Sequence, residues 1–362
     1  MISSRDFLLL VAGESSGDRL GAILVPEILR AGLEARGSGG EAMKAAGLLP
    51  LIPFTDLPAS GFWDVLRRLS RLYRHLRSLR AALHRPQCRG LVCIDYPGFN
   101  LSLMAEADRL KKPVFWVAPP QIWAWKLQRG RLFQGREVSV FFDFEQAAYE
   151  RWEAYAVRVE HPLLAETRLQ ENSGKLWALM PGSRWPQARR NLRAYQQIGT
   201  LLEKLVPGSQ AVWVAADDFV ASELRILDPF TPIRLASEGE MLWSAVRAAL
   251  CTPGTVSLEL ALRGIPASVF SRIDPLTWFV GKLRLRIPSL ALPNLILRQN
   301  FMPEYIGPAW GGFPGKSEIK KMAESLAFRD PAWVRESSSR LRGLLRGPAL
   351  TEVFSHFIQR IA

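Results

Sequence analysis

Short apolar runs recur along the whole chain, each cut off by a Gly, Pro, Asp or Ser turn and followed by residues at helical spacing. In the first half they occupy residues 7–11, 90–94, 113–117, 138–142 and 157–159. In the second half they occupy 176–180, 213–215, 233–235, 246–250 and 269–270. Runs this short read as strands buried on both faces, and their alternation with helical stretches predicts a mostly parallel α/β sheet. Two such series predict two α/β domains, 1–165 and 166–345, with a last helix within 346–362 crossing back onto the first. The longest helical signal is 62–85, where Leu66, Leu69, Leu72, Tyr73, Leu76, Leu79 and Leu83 recur among seven arginines. Such a helix either buries its leucine stripe and solvates its arginines, or lies on an anionic bilayer.

The turns that end these strands carry the candidate chemistry. Strand 7–11 runs into Ala12-Gly-Glu-Ser-Ser-Gly-Asp18, whose glycines allow close backbone approach but lack the three-glycine dinucleotide spacing. A second glycine-rich connection is read at 37–40. Strand 90–94 finishes at Asp95, where a carboxylate either faces the ligand crevice of an α/β sheet or caps the next helix. Trp123 and Trp125 stand beside two prolines in a loop and suit an acyl or sugar pocket, or a gap between domains. Pro181-Gly182-Ser183-Arg184 adds an arginine able to fork onto a phosphate. In Thr252-Pro-Gly254-Thr255, Thr255 is expected to cap a helix whose first turn can hold a diphosphate, with Glu259 one turn on facing sugar or ribose hydroxyls. The two turns together read as a nucleotide-diphosphate cradle. Residues 278–301 mix apolar and cationic positions without a period, as a lipid-facing segment or a buried crossover would.

Composition narrows the classes. A chain of 362 residues with 48% hydrophobic content packs two cores and is not disordered. No apolar run nears the roughly 18 residues of a membrane span. The start lacks a signal-peptide pattern, and three cysteines without metal-ligand spacing suit a reducing cytoplasm. The net charge of +13 asks for nucleic acid, an anionic membrane or a phosphorylated substrate, unless it reflects a general preference for Arg. The aromatics form no recognised RNA-binding motif, so nucleic acid is set aside.

Six motifs in order, 12–18, 94–100, 120–125, 181–184, Gly254-Thr255 with Glu259, and 289–295, resemble the lipid-A-disaccharide synthases over about residues 7 to 307. The resemblance implies the GT-B fold, two Rossmann-like domains facing a cleft, the first for the acceptor and membrane, the second for the UDP-sugar. It implies inverting transfer of 2,3-diacylglucosamine from UDP-2,3-diacylglucosamine to 2,3-diacylglucosamine 1-phosphate, giving the β-1,6 disaccharide 1-phosphate and UDP. No metal or cofactor is implied, and the setting is the cytoplasmic face of the inner membrane. Carried onto this chain, Asp95 becomes the catalytic base or a positioning group, and Arg184 acts near the diphosphate. Gly182, Ser183, Gly254, Thr255 and Glu259 are expected at the donor, and Glu14, Ser15, Gly17, Asp18, Trp123, Trp125 and Asn294 at the acceptor or lipid pocket. A homodimer is left open.

Departures from the family pattern are Gly98 in place of an Asp, Asp143 in place of a Pro, Glu160 in place of a Gly, Gln187 in place of a Glu, and Gly39-Gly40 without a following Pro-Arg. They bear on the acceptor more than on the reaction class. The competing readings are another UDP-sugar enzyme of the same fold, such as an epimerase or a transferase to a different lipid, and a non-enzymatic basic protein on membranes or nucleic acid.

Overall fold

The computed structural model describes residues 5–54, 62–124, 127–170, 174–274, 278, 287–310 and 314–361, with backbone alone at 62–69. Trp125 and residues 279–286 of the 278–301 segment lie outside the described residues. The chain divides into two compact units, Met1–Pro162 with Leu345–Ala362, and Leu163–Leu344.

The first unit runs β1 (Phe7–Ala12), α1 (Ser15–Arg30), β2 (Glu34–Ser38), α2 (Glu41–Ala45), β3 (Leu49–Pro50), α3 (Phe62–Leu83), β4 (Cys88–Ile94), α4 (Pro97–Arg109), β5 (Val114–Val117), β6 (Glu137–Val140), α5 (Asp143–Glu150) and β7 (Tyr155–Arg158). Its sheet has the order β3-β2-β1-β4-β5-β6-β7, and every pair is parallel. All six residues of β1 are buried, as a central strand covered on both faces must be. On one face Phe7, Leu9, Cys93 and Trp116 pack with Leu79 and Leu83 of α3 and Leu103 of α4. On the other, Phe115 meets Phe354 and Phe357 of the terminal helix Leu350–Ile361 at ring distances of 5.2 and 5.1 Å. Tyr73, placed in the buried stripe by its spacing, is instead 67% exposed on α3. The glycine-rich 37–40 stretch is not simply a connection, because Gly37 belongs to β2. There φ is +151° and a Cβ would lie 1.8 Å from the Leu10 carbonyl oxygen, so a glycine lets β2 close onto β1.

The second unit runs α6 (Leu163–Glu166), β8 (Leu176–Met180), α7 (Trp185–Leu205), β9 (Gln210–Ala215), α8 (Asp218–Leu227), β10 (Ile233–Leu235), α9 (Glu240–Trp243), β11 (Val246–Cys251), α10 (Thr255–Leu262), β12 (Ala267–Ile273), α11 (Leu292–Leu297), β13 (Glu304–Pro308), α12 (Lys316–Ala327) and α13 (Pro331–Leu344). The parallel sheet has the order β10-β9-β8-β11-β12-β13. Two buried tryptophans anchor its core, and each indole N–H is satisfied: Trp177 donates to Ser209 Oγ at 2.6 Å and Trp213 to Asp228 Oδ2 at 2.9 Å. Asp217 accepts the Val220 N–H at 2.8 Å as the N-cap of α8, so the exposed Asp217-Asp218 pair is a helix start.

Both sheets follow one path. The chain begins in the middle, winds outward to one edge, then returns to the middle and winds to the other. The reversal falls between β1 and β4 in the first unit and between β8 and β11 in the second. Connections leave on opposite sides there, which opens a crevice beyond the carboxyl ends of the strands.

Candidate functional sites, one at each switch point

At the first switch point β4 ends in two consecutive non-glycine residues in the left-handed region, Asp95 (φ 47°) and Tyr96 (φ 49°). Such backbone is costly and persists where neighbours overdetermine it. The Asp95 N–H donates to the Val117 carbonyl at 2.9 Å. Asn100, fully buried on the first turn of α4, donates its Nδ2–H groups to the carbonyls of Val11 (3.1 Å), Ile94 (3.4 Å) and Asp95 (2.8 Å). It therefore staples β1, β4 and the strained turn together. Gly13 is required for a different reason, since a Cβ there would lie 2.3 Å from the Tyr96 ring.

Tyr96, not Asp95, is the N-cap of α4, and no side chain caps that helix. Of the two sequence readings, a helix cap is excluded. Burial pushes the Asp95 carboxyl above its ordinary value, opposed by the Tyr96 N–H and reinforced by the charge of Glu14. Glu14 is the half-buried N-cap residue of α1, and Ser15 is exposed beside it. Gly17 is buried, with its pro-Cβ position 3.3 Å from Ala12 Cβ. Asp18 ties α1 to α2. Its carboxylate accepts the N–H groups of Gly40 (2.7 Å), Ala42 (3.0 Å) and Met43 (3.0 Å) at the start of α2.

Two strands along, the half-buried Trp123 packs edge-on against Phe144 at 4.7 Å. Its Nε1–H donates to Glu145 Oε1 at 3.2 Å, and the Phe141 N–H donates to Oε2 at 3.1 Å. Neither Asn100 nor Glu145 stood out in the sequence. Asn100 closes the 94–100 motif without being singled out, and nothing in the sequence around Glu145 marks it as buried.

In the second unit the turns after β8 and β11 adjoin, because those strands pair with Cys251 opposite Met180. Gly182 has φ +135° and Gly254 φ +140°, and a Cβ on Gly254 would meet nothing within 4 Å. Ser183 and Arg184 are exposed, Arg184 as the N-cap residue of α7. Asn191 holds the first turn by donating to the Pro181 carbonyl and accepting the Arg272 N–H, both at 2.8 Å. The expected cap is corrected: Gly254, not Thr255, is the N-cap of α10, and no side chain closes that end. A glycine takes the cap because its φ is closed to threonine, and this leaves the helix start open to an anion.

Two residues sit apart from these turns. Glu259 Oε1 accepts from Arg263 Nη2 at 3.1 Å, which ties its carboxylate to the far end of α10. Asn294 engages its amide inside the fold, exchanging bonds with the Met302 backbone at 2.7 Å each way and donating to Glu304 Oε1 at 3.1 Å. It borders a cavity of about 580 Å³ with Ser289, Arg298 and Glu304. Among the family departures, a side chain at Gly98 would enter open space, and Asp143 pairs with Arg158 at 2.7 Å. Among the described residues no three His, Cys, Asp or Glu side chains group as a metal site, and no helix is long and apolar enough to cross a membrane.

Two doubly wound units with turns of this kind define the GT-B class of fold. Solved structures share it: Arabidopsis thaliana UGT89C1 complexed with UDP aligns with a TM-score of 0.62 at 14% identity, covering 99% of this chain and 100% of that one. The S. aureus MnaA–UDP co-structure aligns at 0.60 and 7% identity, covering 98% and 96%. Residues 8–313 match the family model described as Lipid-A-disaccharide synthetase, and the chain belongs to that family. Proteins named lipid-A-disaccharide synthase from Syntrophotalea carbinolica and Acidobacterium capsulatum are each 30% identical, over 321 residues (83% of this chain, 81% of the relative) and 334 residues (84% of each). The Coxiella burnetii (strain RSA 331 / Henzerling II) protein of that name is 29% identical over 310 residues, 81% of this chain and 82% of its own. The chain is therefore a hexosyltransferase of lipid A biosynthesis, with a UDP-sugar donor and a lipid acceptor.

Proposed function

We propose that the protein transfers 2,3-diacylglucosamine from UDP-2,3-diacylglucosamine to the 6-hydroxyl of 2,3-diacylglucosamine 1-phosphate, with inversion, releasing UDP. The observation that carries this reading is Asp95, a partly desolvated carboxylate held on a strained turn at the first switch point with its proton affinity raised. A base so placed removes the proton of the attacking hydroxyl as the new glycosidic bond forms. Arg184 and the uncapped start of α10 supply positive charge for the diphosphate that leaves, so no cation is required by this scheme. The first unit takes the acceptor and the second the donor. The protein works on the cytoplasmic face of the inner membrane, drawn there by its net charge of +13 and the arginines of α3.

Turnover of both substrates by the purified protein in EDTA tests the reaction directly. Disaccharide 1-phosphate and UDP are the expected products, and UDP binding without product would reject the acceptor. Asp95→Ala is expected to abolish turnover and keep UDP affinity, whereas a matching loss of UDP affinity would contradict a base role. Arg184→Ala is expected to weaken donor use, and unchanged donor kinetics would remove it from the diphosphate.

A further inference from the structure

Glu145, on the first turn of α5, is a buried acid at the same sheet edge as Asp95. Its partners among the described residues are N–H groups of Trp123, Phe141 and Phe142, not cations. One turn further along α5, the Tyr149 hydroxyl donates to the Pro120 carbonyl at 2.6 Å. The loop from Pro120 to Trp123 is thus fastened to α5 at both ends. The same loop leaves β5 at Val117, whose carbonyl accepts the Asp95 N–H. Because β5 lies between β4 and β6, Asp95 and Glu145 flank this loop from its two sides. A neutral glutamine would satisfy part of this network without the desolvation cost of a buried carboxylate. The acid therefore needs a reason beyond packing.

We propose that Glu145 is a positioning residue for the transfer reaction, holding the Trp123 loop against the Asp95 turn and setting, through its own charge, how strongly Asp95 draws the proton of the acceptor hydroxyl. This rests on the reading of Asp95 as the base. Burial pushes the Glu145 carboxyl up to about 7; the N–H groups of Phe141, Trp123 and Phe142 oppose the rise, and the charge of Asp95 adds to it. Tyr149 is held neutral by burial, with the Glu145 charge adding to the effect. His161, beside the Phe141 and Phe142 rings, is pushed down to about 4 by burial and is neutral at pH 7. Asp143 is paired with Arg158. Glu14 faces Asp95. As pH rises through neutrality Glu145 becomes charged, and a second negative charge near Asp95 makes Asp95 a stronger base. Acceptor use should rise with it.

The test is the pH dependence of kcat/KM for the acceptor, with UDP affinity measured alongside. In the unaltered protein the value is expected to climb about tenfold between about pH 6 and 8. Glu145→Gln should flatten that climb with UDP affinity kept within about twofold. Trp123→Phe removes a donor that favours the charged carboxylate, so the climb should move up by roughly half a pH unit. A climb that persists unshifted in Glu145→Gln, or its absence from the unaltered protein, overturns the proposal. If Glu145→Gln does not fold, an unshifted climb in Trp123→Phe overturns it as well. Asp95→Asn separates the two ideas: retained turnover rejects the base itself, while lost turnover with an unshifted Glu145→Gln profile rejects the coupling alone.

Discussion

Asn100→Ala removes a side chain that grips both central strands and the Asp95 turn. In the folded protein its amide serves the carbonyls of Val11, Ile94 and Asp95 at 3.1, 3.4 and 2.8 Å, and the residue is fully buried. The longest of these contributes little, so two carbonyls lose a substantive donor. A buried group left unpaired costs about 1–3 kcal/mol, and removing Asn100 Oδ1, which has no partner of its own, offsets part of that. The net loss of stability is expected to be about 2–3 kcal/mol. Catalysis should suffer more than folding. With φ near +47° and +49°, Asp95 and Tyr96 hold strain of order 1–3 kcal/mol each, which the staple restrains. Released, the turn relaxes, and a shift of about 1 Å at the base corresponds to roughly a hundredfold in kcat. The assay is disaccharide formation at saturating donor and acceptor, with urea unfolding and UDP titration on the same preparation. A variant that loses stability yet keeps its kcat would refute the claim that Asn100 positions Asp95.

Three further outcomes follow from other parts of the fold. Gly254→Ala places a Cβ in open space at φ +140°, so its effect is backbone strain of about 1–3 kcal/mol at the start of α10; UDP affinity should fall about tenfold by calorimetry, and unchanged affinity would detach this helix start from the diphosphate. His161, neutral in the fold down to about 4, takes a proton in the unfolded chain near its ordinary 6.5, so stability is lost as pH falls between those values, by up to about 3 kcal/mol. Glu145 slopes the opposite way, its stabilisation present below 4.5 and lost as pH rises through about 7; the two offset over the shared window, so His161→Phe should make the urea midpoint rise as pH falls from about 7 to 5, and an unchanged slope would show that His161 does not contribute. Vesicles containing anionic lipid should bind the protein, with binding weakened by salt and by Arg74→Glu with Arg77→Glu, both exposed on α3 beside Tyr73. Equal binding to neutral vesicles at low and high salt would exclude this electrostatic account.

Most strands were legible because buried parallel strands are apolar throughout and end at turn residues, as 7–11, 90–94 and 176–180 show. Periodicity also marked α3, yet it misplaced Tyr73, since helical spacing reports a face and not what covers that face. Asp95, Gly182, Arg184 and Gly254 are legible as candidates because each follows a strand end, where α/β sheets place ligands. Thr255 was misread as a cap because composition favours threonine there, while the backbone conformation admits glycine. That Asp18 accepts from Gly40, Glu259 Oε1 from Arg263, and that Asn294 bonds Met302, are contacts invisible to local pattern.

What the sequence determined by itself is local: where each strand ends, which turns carry glycine, carboxylate or arginine, and that two windings are present. The tertiary structure alone decided adjacency. It set β1 beside β4 and β8 beside β11 across long crossovers, bringing Val11 to Asn100 and the Gly182 turn to Gly254. It also buried Glu145 under Trp123 and lifted its proton affinity. The physical reason is that a residue's propensity depends on its near neighbours in the chain, whereas desolvation and hydrogen-bond partners depend on segments tens of residues away.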